Sequence, residues 1–317
     1  MERVTKDLGR EEQGGGKRTA VAPLPRLQRA TVVVEPPGEG PGHWAGAPSV
    51  VLADGVFYLT YRLRRPVGKG RGFATVVARS TDGERFEPLL MIDKGAFGAA
   101  SLERSALAVA PDGTWRLYVS CATPGTLHWR VDVLEAADPC DFDPAQRRTV
   151  LPGDALTAVK DPVVVWSERR WHLWASCHPL AVPADADQMV TRYATSPNGI
   201  DWRWRGTALT GRRGSWDARG ARITSVLSGG AGPLTAYYDG RASAAENFEE
   251  RTGLALSTSP GAFRQVDRQP LSSPYGAGGL RYLSIVSLPD GGHRVYYEWT
   301  RQDGAHELRT EHLPPAA

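Results

Sequence analysis

Acids, arginines and aromatic residues recur along this 317-residue chain at matching places in five similar stretches. Asp161, Asp239 and Glu298 stand at the edges of apolar runs, and Glu103 and Asp217 stand in the turns beside such runs. Carboxyl groups of this kind, if brought together, suit cleavage of a glycosidic bond. One acid protonates the leaving oxygen, and a second carboxylate acts as base or nucleophile on the opposite face of the sugar. Arg62, Arg104, Arg219, Arg222, Arg241 and Arg281 accompany them. Guanidinium groups bind phosphate, carboxylate or sugar hydroxyls through paired N–H donors. Trp44, Trp216 and Tyr282 offer flat apolar faces to a sugar ring, and His43 and His178 flank the same stretches.

The elements that must position these residues are legible in the repeat. Each stretch is a short apolar run, a turn and a second apolar-aromatic run, starting at 47, 105, 161, 222 and 282. The period is roughly 58 residues, in or just above the range of repeat architectures. Asp54-Gly55, Asp112-Gly113 and Asp290-Gly291 supply hairpin turns, because Asp and Gly tolerate positive φ. The flanking Val, Ile, Tyr, Trp and Phe suit half-buried strands. In three stretches a further strand enters a polar glycine turn followed by an aromatic residue: Ser80-Thr-Asp-Gly-Glu-Arg-Phe86, Ser196-Pro-Asn-Gly-Ile-Asp-Trp202 and Ser257-Thr-Ser-Pro-Gly-Ala-Phe263. The reading is an all-β chain of about four antiparallel strands per repeat, arranged as a five-bladed β-propeller. It occupies 31–317 as one domain, behind a polar, basic, disordered leader at 1–30.

That architecture fixes where a site would form. The innermost strand of each blade starts on the ligand-binding face, and its antiparallel partner ends there. The starts then bring Asp161, Arg222 and Tyr282 to the axis, and the second-strand ends bring Arg62, Ser120, Ser176, Asp239 and Glu298. The flanking loops add His43, Trp44, Glu103, Arg104, Lys160, His178, Asp217, Arg219, Arg241 and Arg281. Concentrated charge is costly unless paired, so such a funnel marks function. The competing role for the same residues is a set of interblade salt bridges that closes the ring.

The totals exclude several classes. With 38 basic and 35 acidic residues the net charge is +3, too balanced for a general nucleic-acid coat. No apolar stretch approaches the length of a membrane span. Cys121, Cys140 and Cys177 are odd in number and lack CxxC spacing, which fits reduced thiols in a cytoplasmic protein. His43 and His178 are a poor metal signature, so no metal and no cofactor are expected. The Ser-Thr-Asp-Gly-Glu-Arg-Phe turn is read as structural.

On these motifs the chain resembles the five-bladed propeller glycosidases: families 43, 32 and 68, and the related family 130 mannosidases and phosphorylases. Lys160-Asp161-Pro162 resembles their Arg-Asp-Pro, which implies that Asp161 steadies the transition state. Asp217, in Trp216-Asp217-Ala-Arg219, sits where those families place a general acid. Tyr238-Asp239-Gly240-Arg241 resembles the Asp- and Arg-rich segments of family 130-like propellers. The first blade departs from the pattern, with Ala47-Pro48 where a catalytic Asp is usual.

The resemblance implies an enzyme that cleaves a glycosidic bond by hydrolysis or phosphorolysis. Asp161 would orient and stabilise, Asp217 or Glu103 would be the acid, and Asp239 or Glu298 the base. Phosphate as nucleophile needs no first-blade carboxylate and would use the arginines. Two alternatives stand beside this: a ligand-binding propeller without turnover, and acid–base chemistry on a non-sugar small molecule. The expected partner is a small molecule or oligosaccharide, anionic or phosphate-dependent in the phosphorolytic case, and neither nucleic acid nor membrane.

Overall fold

The computed structural model describes residues 22–228 and 233–315. Five blades of four antiparallel strands surround one axis. After β1 (Thr31–Val34), blade 1 is β2 (Trp44–Ala53), β3 (Val56–Arg64), β4 (Gly72–Ser80) and β5 (Glu87–Asp93). Blade 2 is β6 (Leu102–Val109), β7 (Trp115–Ala122), β8 (Trp129–Ala136) and β9 (Arg148–Leu151). Blade 3 is β10 (Thr157–Ser167), β11 (Arg170–Pro179), β12 (Met189–Ser196) and β13 (Arg203–Leu209). Blade 4 is β14 (Gly220–Leu227), β15 (Leu234–Gly240), β16 (Arg251–Ser257) and the short β17 (Arg264–Gln265). Blade 5 is β18 (Leu280–Ser287), β19 (His293–Thr300) and β20 (His306–Leu313), with β1 as its outer strand. The five-bladed, all-β expectation is met, and the N-terminal strand closes the ring on the last blade.

The local chemistry explains the hairpins. Asp54 and Gly55 have φ of 50° and 79°, the pair of positive values that a tight type I′ turn requires. Blade 3 makes its turn without glycine, with Glu168 and Arg169 at φ 49° and 60°. Five hydrophobic clusters form the core among the described residues, one between each pair of neighbouring blades. Tryptophans anchor four of these clusters: Trp115 between blades 1 and 2, Trp171 between blades 2 and 3, Trp174 between blades 3 and 4, and Trp299 between blades 4 and 5.

The polar glycine turns are structural, as expected. Ser80 Oγ accepts from Gly83 N, and Asp82 Oδ1 accepts from the backbone of Glu84 and Arg85. Tyr296 of blade 5 donates to Gly83 O of blade 1, and Tyr118 of blade 2 donates to Gly199 O of blade 3, so these two turns are tied to the preceding blade of the ring.

Residues 22–30 of the expected leader lie against blades 4 and 5, with Leu24 and Leu27 packed on a cluster that holds Tyr237 and Leu283. The remainder of that leader, 1–21, lies outside the described residues. Arg26 N and Leu27 N each donate 2.9 Å to the buried Glu311 carboxylate. Glu311→Ala is therefore expected to lower unfolding free energy by about 2 kcal/mol, the scale of hydrogen bonds to a charged group. Urea denaturation checks it through a shifted midpoint at unchanged slope.

Candidate active site in the axial funnel

Every innermost strand breaks register at the same level. The shifts fall between Gly46 and Ser49, Leu102 and Ser105, Lys160 and Val163, Ile223 and Ser225, and Arg281 and Ser284. Such bulges re-aim side chains, and their repetition around the ring turns one residue per blade toward the axis. Ala47, Asp161 and Tyr282 sit in them with φ of 54°, 55° and 56°. This backbone is uncommon for residues other than glycine, and strain of this kind collects at functional sites. Ala47 thus holds in blade 1 the register position that Asp161 holds in blade 3. The bulge is retained there and the carboxylate is not.

The axial acids are consumed by arginines. Arg62 bridges Glu103 and Glu298, the latter at 3.0 Å. Arg222 reaches Asp161 at 3.0 Å, Asp239 at 2.8 Å and the Tyr282 hydroxyl at 2.9 Å. Arg281 joins Glu298 and Glu250, each at 2.7 Å, and Arg241 binds Glu250, Asn247 and Asp187. All of these arginines are buried, as are Glu103, Asp161, Asp239, Glu250 and Glu298. Unpaired, each charge would be costly here, so each of these guanidinium groups is set against at least one carboxylate. Gly46 is part of its geometry, since a Cβ there would lie 2.0 Å from Glu298 Oε2. His306 extends the layer, with Nδ1 2.7 Å from Glu298 and Nε2 3.0 Å from Glu249.

A cavity of about 360 Å³ opens over this layer. Of the expected residues, Glu103, His178, Arg222, Arg241, Arg281 and Tyr282 line it. Asp161, Asp239, Glu298, Arg62 and Arg104 belong to the buried axial layer instead. Asp239 accepts from Tyr282 N, and Arg104 Nε donates to Pro48 O. Four expectations differ more sharply. Asp217 is held inside blade 4 by the Tyr238 hydroxyl at 2.8 Å and by Arg212, so its carboxylate has no access to the funnel. Arg219 pairs with Asp185 and Asp187 and anchors a loop. His43 lies against Gly38 and accepts from His306 N through its carbonyl. Trp44 is covered, with Arg64 3.9 Å over its ring and His306 stacked at 4.7 Å.

The sequence reading also missed residues. Arg71, Trp129, Met189 and Glu250 line the cavity. All stand at or just before the start of a third strand. Third strands start on the face where second strands end, so the same topological rule carried one strand further would have found them. Lys160, read as a flanking residue, lines the cavity too.

The cavity is electropositive. Arg71, Lys160, Arg222, Arg241 and Arg281 face it against the carboxylates of Glu103, Asp187 and Glu250, two more cations than anions. Burial alone would raise the Glu103 carboxyl, but Arg62, Lys160 and Arg64 outweigh it and hold it down at about 2. Glu250 is likewise held well below its ordinary value by Arg281, Arg241 and Arg222, against its burial. Burial pushes the Tyr282 hydroxyl well up, lowers the Lys160 ammonium, and keeps the His178 imidazole neutral beside Lys160 and Arg222. The funnel's proton donors are thus Tyr282 and Lys160, and its carboxylates are acceptors. Among the described residues no group of three or more His, Cys, Asp or Glu is placed to hold a metal ion.

No family model matches the chain, and no curated protein matches it. Solved structures do. A thermostable family-43 glycoside hydrolase aligns with TM-score 0.67 at 12% identity, covering 89% of this chain and 92% of its own. The GH43_1 enzyme from Xanthomonas citri complexed with xylotriose gives 0.63 at 16% identity, over 90% and 92% of the two chains. A β-1,2-mannobiose phosphorylase from Listeria innocua gives 0.61 at 14% identity, over 88% and 92%. The chain has the five-bladed propeller fold shared by these glycoside hydrolases and phosphorylases.

Proposed function

We propose that the protein is a carbohydrate-active enzyme that cleaves a glycosidic bond in the axial funnel, with inorganic phosphate rather than carboxylate-activated water as nucleophile. The observation that carries this reading is the pairing of a cation-rich cavity with Ala47 at the register position of a blade acid. Phosphate brings its own nucleophilic oxygen, so no base is needed. The excess of cations around the cavity draws the anion: Arg222, Arg241 and Arg281 supply positive field while paired with their own carboxylates, and Arg71 and Lys160 are the least committed cations of the lining. A phosphate oxygen bonds to the anomeric carbon as the glycosidic C–O bond breaks, and the departing oxygen takes a proton from Lys160. A lysine lowered by burial is a better acid near neutrality than the raised Tyr282 hydroxyl.

The test is release of sugar 1-phosphate from a panel of glycosides with and without inorganic phosphate. Omitting phosphate is expected to cut turnover at least about 100-fold, and Lys160→Met to cut it by a similar factor, the scale of general acid catalysis. Turnover indifferent to phosphate would remove the reading. A second reading, ligand binding without turnover, rests on the pairing of Glu103 and Glu250 with arginines, which leaves neither free as an acid. It predicts anion affinity with no cleavage across the same panel.

A further inference from the structure

The funnel is not uniform around its axis. Arg222, Arg241 and Arg281 come from blades 4 and 5. The wall from blades 2 and 3 carries Leu127, Trp129, Leu180, Pro183 and Met189, with His178 and Asp187 as its polar members. Lys160 lies at the boundary, its Nζ 4.9 Å over the Trp129 ring. The apolar wall continues to the rim on the same side, where Leu127 and Leu156 are 62% and 63% exposed.

A neutral oligosaccharide fits this lining poorly. The Glu103 and Glu250 carboxylates are committed to arginines, which leaves a sugar's hydroxyls chiefly His178, Asn247 and the Tyr282 hydroxyl as neutral partners. The one tryptophan face that a sugar could stack on carries Lys160 and, at 5.9 Å, Arg71. Leu127, Leu180 and Met189 supply no hydrogen bond at all. Apolar pockets with a few convergent polar groups select ligands by that division.

We propose that the funnel takes an amphipathic anion: a compact phosphate or carboxylate drawn by the funnel's excess of cations, joined to an apolar body that packs on Leu127 and Leu180. In the glycoside-cleaving reading, on which this rests for its chemistry, the substrate is a glycoside with an apolar aglycone rather than a sugar chain, its anion the phosphate nucleophile or an acidic group of its own.

The test uses the full chain and calorimetric titration with phenyl phosphate, benzoate, inorganic phosphate and mannose. Phenyl phosphate is expected to bind at least tenfold tighter than inorganic phosphate, which needs only about 60 Å² of apolar surface buried. Benzoate against phenyl phosphate identifies the head group. Leu127→Asn with Leu180→Asn is expected to bring the phenyl phosphate to phosphate ratio near one while phosphate affinity stays within twofold. Leu127 is exposed, so the single Leu127→Asn variant, expected to lower the ratio severalfold, covers failure of the double variant to fold. The proposal is overturned if phenyl phosphate binds no tighter than phosphate, if neither anion binds, if the ratio survives both variants, or if mannose displaces phenyl phosphate. Cleavage of neutral oligosaccharides without phenyl phosphate affinity would sink this inference and spare glycosidic cleavage. Phenyl phosphate affinity without cleavage of any glycoside would do the reverse.

Discussion

Replacing Arg222 by methionine is expected to lower unfolding free energy by about 3–5 kcal/mol, because it strands buried carboxylates rather than merely deleting contacts. Arg222 is the common partner of Asp161, Asp239 and the Tyr282 hydroxyl, and Glu250 lies 3.8 Å away. Asp161 would keep only Lys160 at 3.9 Å and the backbone N–H of Arg104 at 3.3 Å. Asp239 would keep Tyr282 N and the Thr252 hydroxyl. Combining Arg222→Met with Asp161→Asn and Asp239→Asn is expected to recover more than half of the loss, since the stranded charges then disappear. The rim pair Arg79–Glu87 is the control: both side chains are more than half exposed, and breaking it is expected to cost no more than about 0.5 kcal/mol. Denaturant unfolding of the series decides the matter. If Arg222→Met costs as little as the rim pair, the axial layer does not hold the blades together.

That layer marks the limit of what the sequence disclosed. The five blades were legible because strand alternation and Asp-Gly turns are local signals. The convergence of Arg62, Asp161, Arg222, Asp239 and Glu298 followed from topology alone. Their mutual pairing did not, since Arg62 and Glu298 lie 236 positions apart and nothing local says which acid meets which base. Interblade salt bridges, the competing role for these residues, account for Asp161, Asp239 and Glu298 more fully than direct contact with a ligand does. Asp217 was misplaced because a loop residue just before a strand can turn into the blade as readily as into the funnel, and the Tyr238 hydroxyl draws it inward. β1 was missed as a blade strand because its partner, β20, lies at the opposite end of the chain.

The asymmetry of the layer gives the opposite result for Asp239→Asn, which is expected to stabilise the protein relative to wild type as pH rises. Burial raises the Asp239 carboxyl to about 6, and the pull of Arg222 and Tyr282 N does not offset it. The unfolded value is near 3.8, so between those two pH values the folded chain holds a proton that the unfolded chain has released. Stability then falls as pH rises through that window, by about 3 kcal/mol over the two units. Asparagine mimics the protonated acid and removes the loss. Glu103, held at about 2, contributes stability that is present above its ordinary value and lost as pH falls. His178, kept neutral, has the same sign below its own ordinary value. Both groups are common to the two proteins and cancel in the difference, so the variant-minus-wild-type curve isolates Asp239. It is expected to lie near zero at pH 3 and to climb by about 3 kcal/mol by pH 7. The same proton links stability to ligand binding. With Asp239 neutral, Arg222 carries less compensated charge toward the cavity, so phosphate should bind wild type more tightly below pH 6 than above. In Asp239→Asn that component should vanish, leaving the pH dependence that comes from phosphate's own ionisation. A flat difference curve, or phosphate affinity with the same pH dependence in both proteins, would mean that Asp239 stays ionised beside Arg222 and that the excess positive charge of the funnel is not under its control.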